Sequence, residues 1–244
     1  MSQHRFFCEK IIEPITELVG TEFHHLNRVL RLSDGQEVEL FDGNGVIATA
    51  TIKEVHTGKA ALQINETKIY NPPTDSRIIL AVSVAKGDRF NWLVEKCTEL
   101  GADRITPVIF DRTIKQAANP KVGQRWKNIA ISAAKQCKRV FLPCIDGPLV
   151  FPEAAEMLVK QYCNAKILFG SPDERDTSIS DCYNGTDDII AFVGPEGGIT
   201  DEERMVLISN DAIAVRLTDT ILRTETAAVS FCSILTTLRD RRKK

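Results

Sequence analysis

Hydrophobic and polar positions alternate over short stretches in the first seventy residues, and turn residues separate the stretches. Val38 and Leu40 stand in one such alternation, Asp42-Gly43-Asn44-Gly45 is a strong hairpin signal, and 46–55 supplies the returning strand. A second turn at Gly58 leads into Ala60-Ala61-Leu62-Gln63-Ile64. The pattern predicts a small β-barrel with one short helix around Phe23, Leu26 and Leu30, which leaves His24, His25, Arg28 and Arg31 facing solvent. Tyr70-Asn71-Pro72-Pro73-Thr74-Asp75-Ser76 reads as a linker, because consecutive prolines interrupt ladders and helices alike. The expected domains are 1–72 and 73–244.

From Arg77 the texture changes to apolar strands alternating with amphipathic helices. Segments 78–84, 105–110, 144–145, 166–169, 189–193 and 212–217 read as strands. Helices are expected through Phe90, Leu93, Val94, Cys97 and Leu100, over 154–159, from Thr200, and finally along Ala228, Phe231, Ile234, Leu235 and Leu238. Such alternation predicts an α/β domain with a mostly parallel sheet covered by helices.

Two short stretches fall where an apolar strand gives way to a helix. They are Phe192-Val193-Gly194-Pro195-Glu196-Gly197-Gly198 and Leu222-Arg223-Thr224-Glu225-Thr226-Ala227-Ala228. Open α/β sheets bind ligands outside the carboxyl ends of their strands, where glycines admit close approach and helix starts offer free N–H groups. Two such corners predict one small-molecule site. Thr200-Asp201-Glu202-Glu203 fits a capping box that fixes the helix start by local chemistry. Taken alone, Gly-Pro-Glu-Gly-Gly serves equally as a ligand wall or as a tight connection with no ligand.

Composition narrows the chemistry by exclusion. The 244 residues are 43% hydrophobic and 26% charged, as in soluble globular proteins. Met1-Ser2-Gln3-His4-Arg5 opens no apolar signal core and no apolar run approaches the length of a membrane span, so the expected location is the cytoplasm. Seven scattered cysteines never form C-x-x-C and the four histidines lack ligand spacing, so neither disulfides nor a metal are expected. No P-loop, no dinucleotide fingerprint opening a βαβ unit, no nucleophile elbow and no H-E-x-x-H is present.

Net charge is −2, which favours no partner, but its distribution is uneven. Arg112, Lys115, Lys121, Arg125, Lys127, Lys135, Lys138 and Arg139 follow one another without an intervening acid. The segment from Lys121 reads as a helix with Trp126, Ile129, Ala130, Ala133, Cys137 and Val140 on one side. Lys121, Arg125, Asn128, Ser132, Lys135 and Arg139 form the opposite stripe. That stripe is either a solvated face or a track for a phosphate backbone. Over 1–70 acids outnumber bases, so charge does not favour nucleic acid there.

Four motifs in order carry a resemblance: Glu95-Lys96-Cys97-Thr98-Glu99-Leu100-Gly101; Arg125-Trp126 with Gln136-Cys137-Lys138-Arg139; Gly194-Pro195-Glu196-Gly197-Gly198; and Ile221-Leu222-Arg223-Thr224-Glu225-Thr226-Ala227. With Arg5-Phe6-Phe7 and the segment from His25 to Arg31, they resemble the RsmE family of the SPOUT superfamily over essentially the whole chain. The resemblance implies S-adenosylmethionine-dependent methylation of uridine N3 in 16S ribosomal RNA. It also implies a PUA-like N-terminal RNA-binding barrel, a SPOUT-type parallel sheet with a deep trefoil knot, and a homodimer. Because base methylation demands an unstacked base, the expected substrate is structured RNA within an assembled small subunit.

In that family three loops hold the cofactor. Here they map to Leu168, Phe169 and Gly170; to Gly194, Pro195, Glu196, Gly197 and Gly198; and to Leu217, Leu222, Thr224 and Thr226. Arg223 is expected to stabilise charge on the uracil carbonyls, with Glu225 or Glu196 accepting the N3 proton. The competing reading has Arg223 and Glu225 capping the helix and pairing with each other. Arg5, His25, Arg28, Arg31, Arg112, Lys121, Arg125, Lys135 and Arg139 are the expected RNA contacts. The chain departs from the pattern at Leu217-Thr218-Asp219-Thr220, where a glycine is usual after the leucine, and at Lys135 and Lys138, which strengthen the basic stripe. Two alternatives stand beside this reading: a SPOUT ribose 2′-O-methyltransferase of rRNA or tRNA, and a non-catalytic RNA-binding assembly factor.

Overall fold

A strand buried on both faces reads as an unbroken apolar run, whereas a strand with one wet face alternates. This chain has both kinds, in two sheets. The computed structural model describes residues 4–85, 87–114, 122–173 and 177–241. It divides into two units, residues up to Pro72 with Ala134–Leu142, and Pro73–Ala133 with the chain from Pro143. The break after Pro72 falls in the proline-rich linker. Ala134–Leu142 clusters with the first unit.

The first unit contains β1 (His4–Phe7), β2 (Ile15–Val19), α1 (Gly20–His24) running into a π-helical turn (His25–Val29), β3 (Glu37–Phe41), β4 (Val46–His56) and β5 (Lys59–Ile69). Its sheet order is β1-β3-β4-β5-β2. The hairpin between β3 and β4 forms at the expected turn, where the Asp42 carboxylate accepts from the N–H groups of Asn44 at 2.7 Å and Val46 at 2.9 Å. Alternation puts Val38, Leu40, Ala48, Ala50, Ile52, Ala60 and Leu62 on one inner face, closed by Phe6, Leu18 and Leu26. The returning segment is tied on by Leu142, whose N–H donates to Gly43 O at 2.8 Å.

The second unit follows the predicted alternation. It comprises β6 (Ile78–Ser83), α2 (Arg89–Leu100), β7 (Arg104–Ile109), α3 (Val122–Cys137), β8 (Cys144–Ile145), β9 (Leu149–Val150) and α4 (Phe151–Gln161). There follow β10 (Lys166–Gly170), β11 (Thr177–Ser178), α5 (Ile179–Cys182), β12 (Ile189–Val193), α6 (Asp201–Ser209), β13 (Ile213–Arg216) and α7 (Thr224–Asp240). The last residues of α3 belong to the first unit. Strand order is β11-β13-β10-β12-β6-β7-β8, with β9 also on β7. Every pairing in this sheet is parallel.

The two fully buried strands, β6 and β12, pair at the centre, as their unbroken apolar runs require. One side of the sheet buries Ile79, Val108, Phe110, Phe151, Leu158 and Phe192 in a single cluster. On α7 the expected face is sunk at Ala228, Phe231 and Leu235. The α2 helix stops at Gly101, whose φ of +100° is a left-handed cap that glycine adopts without a Cβ penalty. Because all the strands run the same way, the carboxyl ends of β13, β10, β12, β6 and β7 share one edge of the sheet.

Candidate active site

That shared edge decides which loops meet. β13, β10 and β12 are neighbours, so the chain leaving each of them emerges at the same place. These exits carry the three expected loops. After β12, Gly198 N–H closes a turn on Pro195 O at 2.9 Å, and Gly198 sits at φ +78°. At Gly194 an added Cβ would stand 2.6 Å from Ile199 Cγ1, so the turn and the start of α6 are in close contact there.

The α6 start is built as the sequence predicts. Glu203 N–H donates to Thr200 Oγ1 at 3.3 Å, and Thr200 N–H donates to Glu203 Oε2 at 2.9 Å. The second oxygen, Oε1, takes the Asp111 N–H at 2.8 Å, so the capping glutamate also anchors the exit of β7. The sequence did not reveal that second task.

The second corner is joined to the first. Thr224, in the first turn of α7, donates its hydroxyl to Gly194 O at 3.1 Å. Next to it, Glu225 is 8% exposed. Its Oε1 lies 3.8 Å from Arg89 Nε, and its Oε2 is buried and has no hydrogen-bond partner among the described residues. Burying an acceptor without a donor is costly, so this oxygen carries an unmet demand for a donor at the corner. Arg223 occupies the N-cap position with its side chain exposed and makes no capping hydrogen bond. Among the described residues Glu225 lies against Arg89 and makes no ion pair with Arg223.

In the first loop Leu168 and Phe169 are core residues, with the Arg204 guanidinium over the Phe169 ring at 5.5 Å. Only half-buried Gly170 reaches the edge, where a Cβ would meet Phe231 at 3.3 Å. In the third, Leu217 and Leu222 are half-buried, and Thr226 is exposed. Thr218 donates to Thr220 O at 2.8 Å and Arg216 pairs with Asp219 at 3.1 Å, so side chains hold this loop.

The exits of β6 and β7 add two arginines to this edge. Arg89 Nη1 lies 3.4 Å from Glu196 Oε1, and Arg112 Nη1 donates to Gly197 O at 2.9 Å. Arg89 was not singled out from the sequence, although the strand-to-helix corner after β6 carried the same signal as the other two.

The expected RNA residues separate into three groups. Arg28, Arg31, Arg112 and Arg125 are exposed. Arg5 is not: it is 8% exposed, paired with Glu39 at 3.0 Å, and lies over the Phe41 ring at 4.3 Å. Lys135 is half-buried and paired with Glu22 at 2.8 Å, so the basic stripe is interrupted where α3 enters the first unit. His25 is half-buried edge-on to Phe6, and burial, with Lys135 nearby, holds its imidazole below the ordinary range. Arg139 is half-buried, and Lys121 lies outside the described residues. Arg125, Asn128 and Ser132 do line an open groove together with Gln124 and Ile129. Among the described residues no group of acids, histidines and cysteines could hold a metal ion, and no helix is long and apolar enough to cross a membrane.

Residues 72–236 match the family profile described as an RNA methyltransferase domain, and residues 18–65 match that of an RNA methyltransferase PUA domain. The chain is 32% identical over 228 residues to ribosomal RNA small subunit methyltransferase E of Synechocystis sp., covering 90% of this chain and 72% of that one. It is 27% identical to the protein of that name from Bacillus subtilis over 91% of this chain and 92% of the relative. The crystal structure of ribosomal RNA small subunit methyltransferase E from Neisseria gonorrhoeae, bound to S-adenosylmethionine, superposes with a TM-score of 0.83 at 31% identity, covering 97% of this chain and 98% of that one. The fold, the domain matches and this full-length similarity converge, and the chain belongs to the ribosomal RNA small subunit methyltransferase E family.

Proposed function

We propose that the protein transfers a methyl group from S-adenosylmethionine to N3 of a uridine in small-subunit ribosomal RNA. The single observation that carries the chemistry is the buried, unpartnered Oε2 of Glu225 at the junction of the second and third loops. The residues present fit the cofactor. Gly194–Gly198 stand at a strand end with the Arg112 side chain alongside Gly197, and two acids, Glu196 and Glu225, the latter with a buried, unpartnered oxygen, suit a cationic sulfonium. When bound, S-adenosylmethionine supplies a methyl carbon open to in-line attack.

The rest falls to the chain. Arg223, exposed at the α7 start, stabilises negative charge on the uracil carbonyls as the N3 proton departs. Glu225 accepts that proton on Oε2 while the N3–carbon bond forms and the carbon–sulfur bond breaks. Arg89 stays beside the other carboxylate oxygen. Base chemistry requires a base that has left its stack, so the target is a structured or locally single-stranded site, and we assign it to the assembled small subunit in the cytoplasm. In this reading the protein works as a homodimer, and the chain through β12, β13 and α7 is threaded as the family's trefoil knot.

Nucleoside mass spectrometry of 16S rRNA from cells lacking the protein tests the assignment. One missing N3-methyluridine, restored by the purified protein and S-adenosylmethionine, is the expected result. A missing ribose methyl, or no missing modification together with no cofactor binding by calorimetry, would overturn it.

A further inference from the structure

Three arginines from three separate segments form one continuous chain of contacts along the rim of the second loop. Arg125 Nη2, on α3, lies 2.7 Å from Asp88 Oδ1. Asp88 is followed in sequence by Arg89, whose Nη1 is 3.4 Å from Glu196 Oε1. Glu196 is followed by Gly197, whose carbonyl accepts from Arg112 Nη1 at 2.9 Å. The cations therefore alternate with two carboxylates and a carbonyl in a single arc. The arc lies open to solvent: side-chain exposure is 62% and 86% for Arg125 and Asp88, and 45% and 51% for Arg89 and Glu196.

Ion pairs this exposed contribute little net stability, so they exchange readily for a better anion. A phosphate is the better anion, because its oxygens match the planar guanidinium fork and binding releases the counterions that a nucleic acid holds. We propose that Arg89, Arg112 and Arg125 grip the backbone phosphates flanking the target nucleotide, and that Asp88 and Glu196 occupy those positions while the RNA is absent. The inference rests on the reading of the protein as an enzyme acting on ribosomal RNA. It deepens that reading in two ways: it adds Arg89, and it gives two acids the opposite sign of effect from the one a simple binding residue would have.

That sign supplies the test. Small subunits purified from cells lacking the protein are titrated with Arg89→Gln, Arg112→Gln, Arg125→Gln and Asp88→Asn at several salt concentrations, while calorimetry follows S-adenosylmethionine. Each arginine variant is expected to weaken subunit binding and to reduce the slope of log K against log salt by about 0.7 to 0.9. Asp88→Asn, which keeps a good residue at the helix N-cap, is expected to tighten subunit binding a few-fold with unchanged cofactor affinity. Unchanged slopes, or weaker binding in Asp88→Asn with the cofactor still bound, overturn the proposal. A loss of cofactor affinity in folded Arg125→Gln overturns it too, because that guanidinium would then serve the cofactor carboxylate. A wild-type protein that binds subunits but transfers no methyl group would refute the proposed function and leave these slopes as a separate measurement.

Discussion

Thr224 Oγ1 donates to Gly194 O across 3.1 Å, and this one bond fastens the start of α7 to the exit of β12. The residues it joins lie thirty positions apart in the chain, yet they are the two corners that bracket the candidate site. Thr224 itself is buried, so its hydroxyl has little water to fall back on.

Thr224→Val keeps the shape and removes the donor. Leaving this half-buried carbonyl without its donor costs about 1 kcal/mol or more. Calorimetry with S-adenosylmethionine should show affinity falling by about tenfold or more, while Thr224→Ser stays near wild type. Equal affinity in the valine variant would mean that the bond does not hold the loops in register.

Gly194 is constrained from the other side. A Cβ there would press on Ile199 Cγ1 at 2.6 Å, a distance that requires movement. Gly194→Ala should therefore weaken cofactor binding, and Ile199→Ala in the same chain should recover part of the loss. A double variant no better than the single one would place the damage in the backbone rather than in this contact.

The roles given to Glu225 and Arg223 separate binding from chemistry. Glu225→Gln preserves volume but cannot take a proton. It should hold S-adenosylmethionine within a few-fold of wild type and lose about 10²-fold or more in single-turnover methyl transfer. Arg223→Ala should behave similarly, because its side chain is exposed and makes no capping bond. Normal turnover in either variant would remove that residue from the mechanism.

Lys135 should answer in stability rather than in RNA binding. Its pair with Glu22 is less than one-fifth exposed on both sides, and Glu22 also accepts the Phe7 N–H at 3.1 Å. Lys135→Met leaves that carboxylate without its cation. A loss of about 1–3 kcal/mol in denaturant unfolding is expected, with the salt dependence of subunit binding unchanged.

Tyr183 predicts an alkaline limit. Its hydroxyl is buried without a hydrogen-bond partner among the described residues, and burial pushes its pKa up to about 12. Asp187, Asp188 and Asp103 act in the same direction, and Arg239 opposes them. The unfolded chain releases this proton near the ordinary value of about 10, so it binds fewer protons than the folded state between the two values. The contribution of Tyr183 is complete below about pH 10 and is lost as pH rises toward about 12. Tyr183→Phe should flatten that alkaline decline and be close to neutral at pH 7, read from unfolding midpoints across pH.

Local pattern alone determined a great deal. The unbroken runs Ile78-Ile79-Leu80-Ala81-Val82 and Ile189-Ile190-Ala191-Phe192-Val193 marked strands buried on both faces, and they pair at the sheet centre. Thr200 and Glu203 carried their capping box in four residues, because a helix start is satisfied by neighbours in sequence. The motifs identified the family. Strand order, by contrast, is a long-range property, which no period of 2 or 3.6 encodes. Parallel pairing brings five strand exits to one edge, and the order β13-β10-β12-β6-β7 makes those of β12 and β6 neighbours, which places Arg89 against both Glu196 and Glu225. The helical wheel of α3 likewise put Lys135 on a solvent stripe with Arg125. Tertiary packing sent one to Glu22 and left the other exposed, because a wheel fixes directions around an axis and packing fixes what stands there.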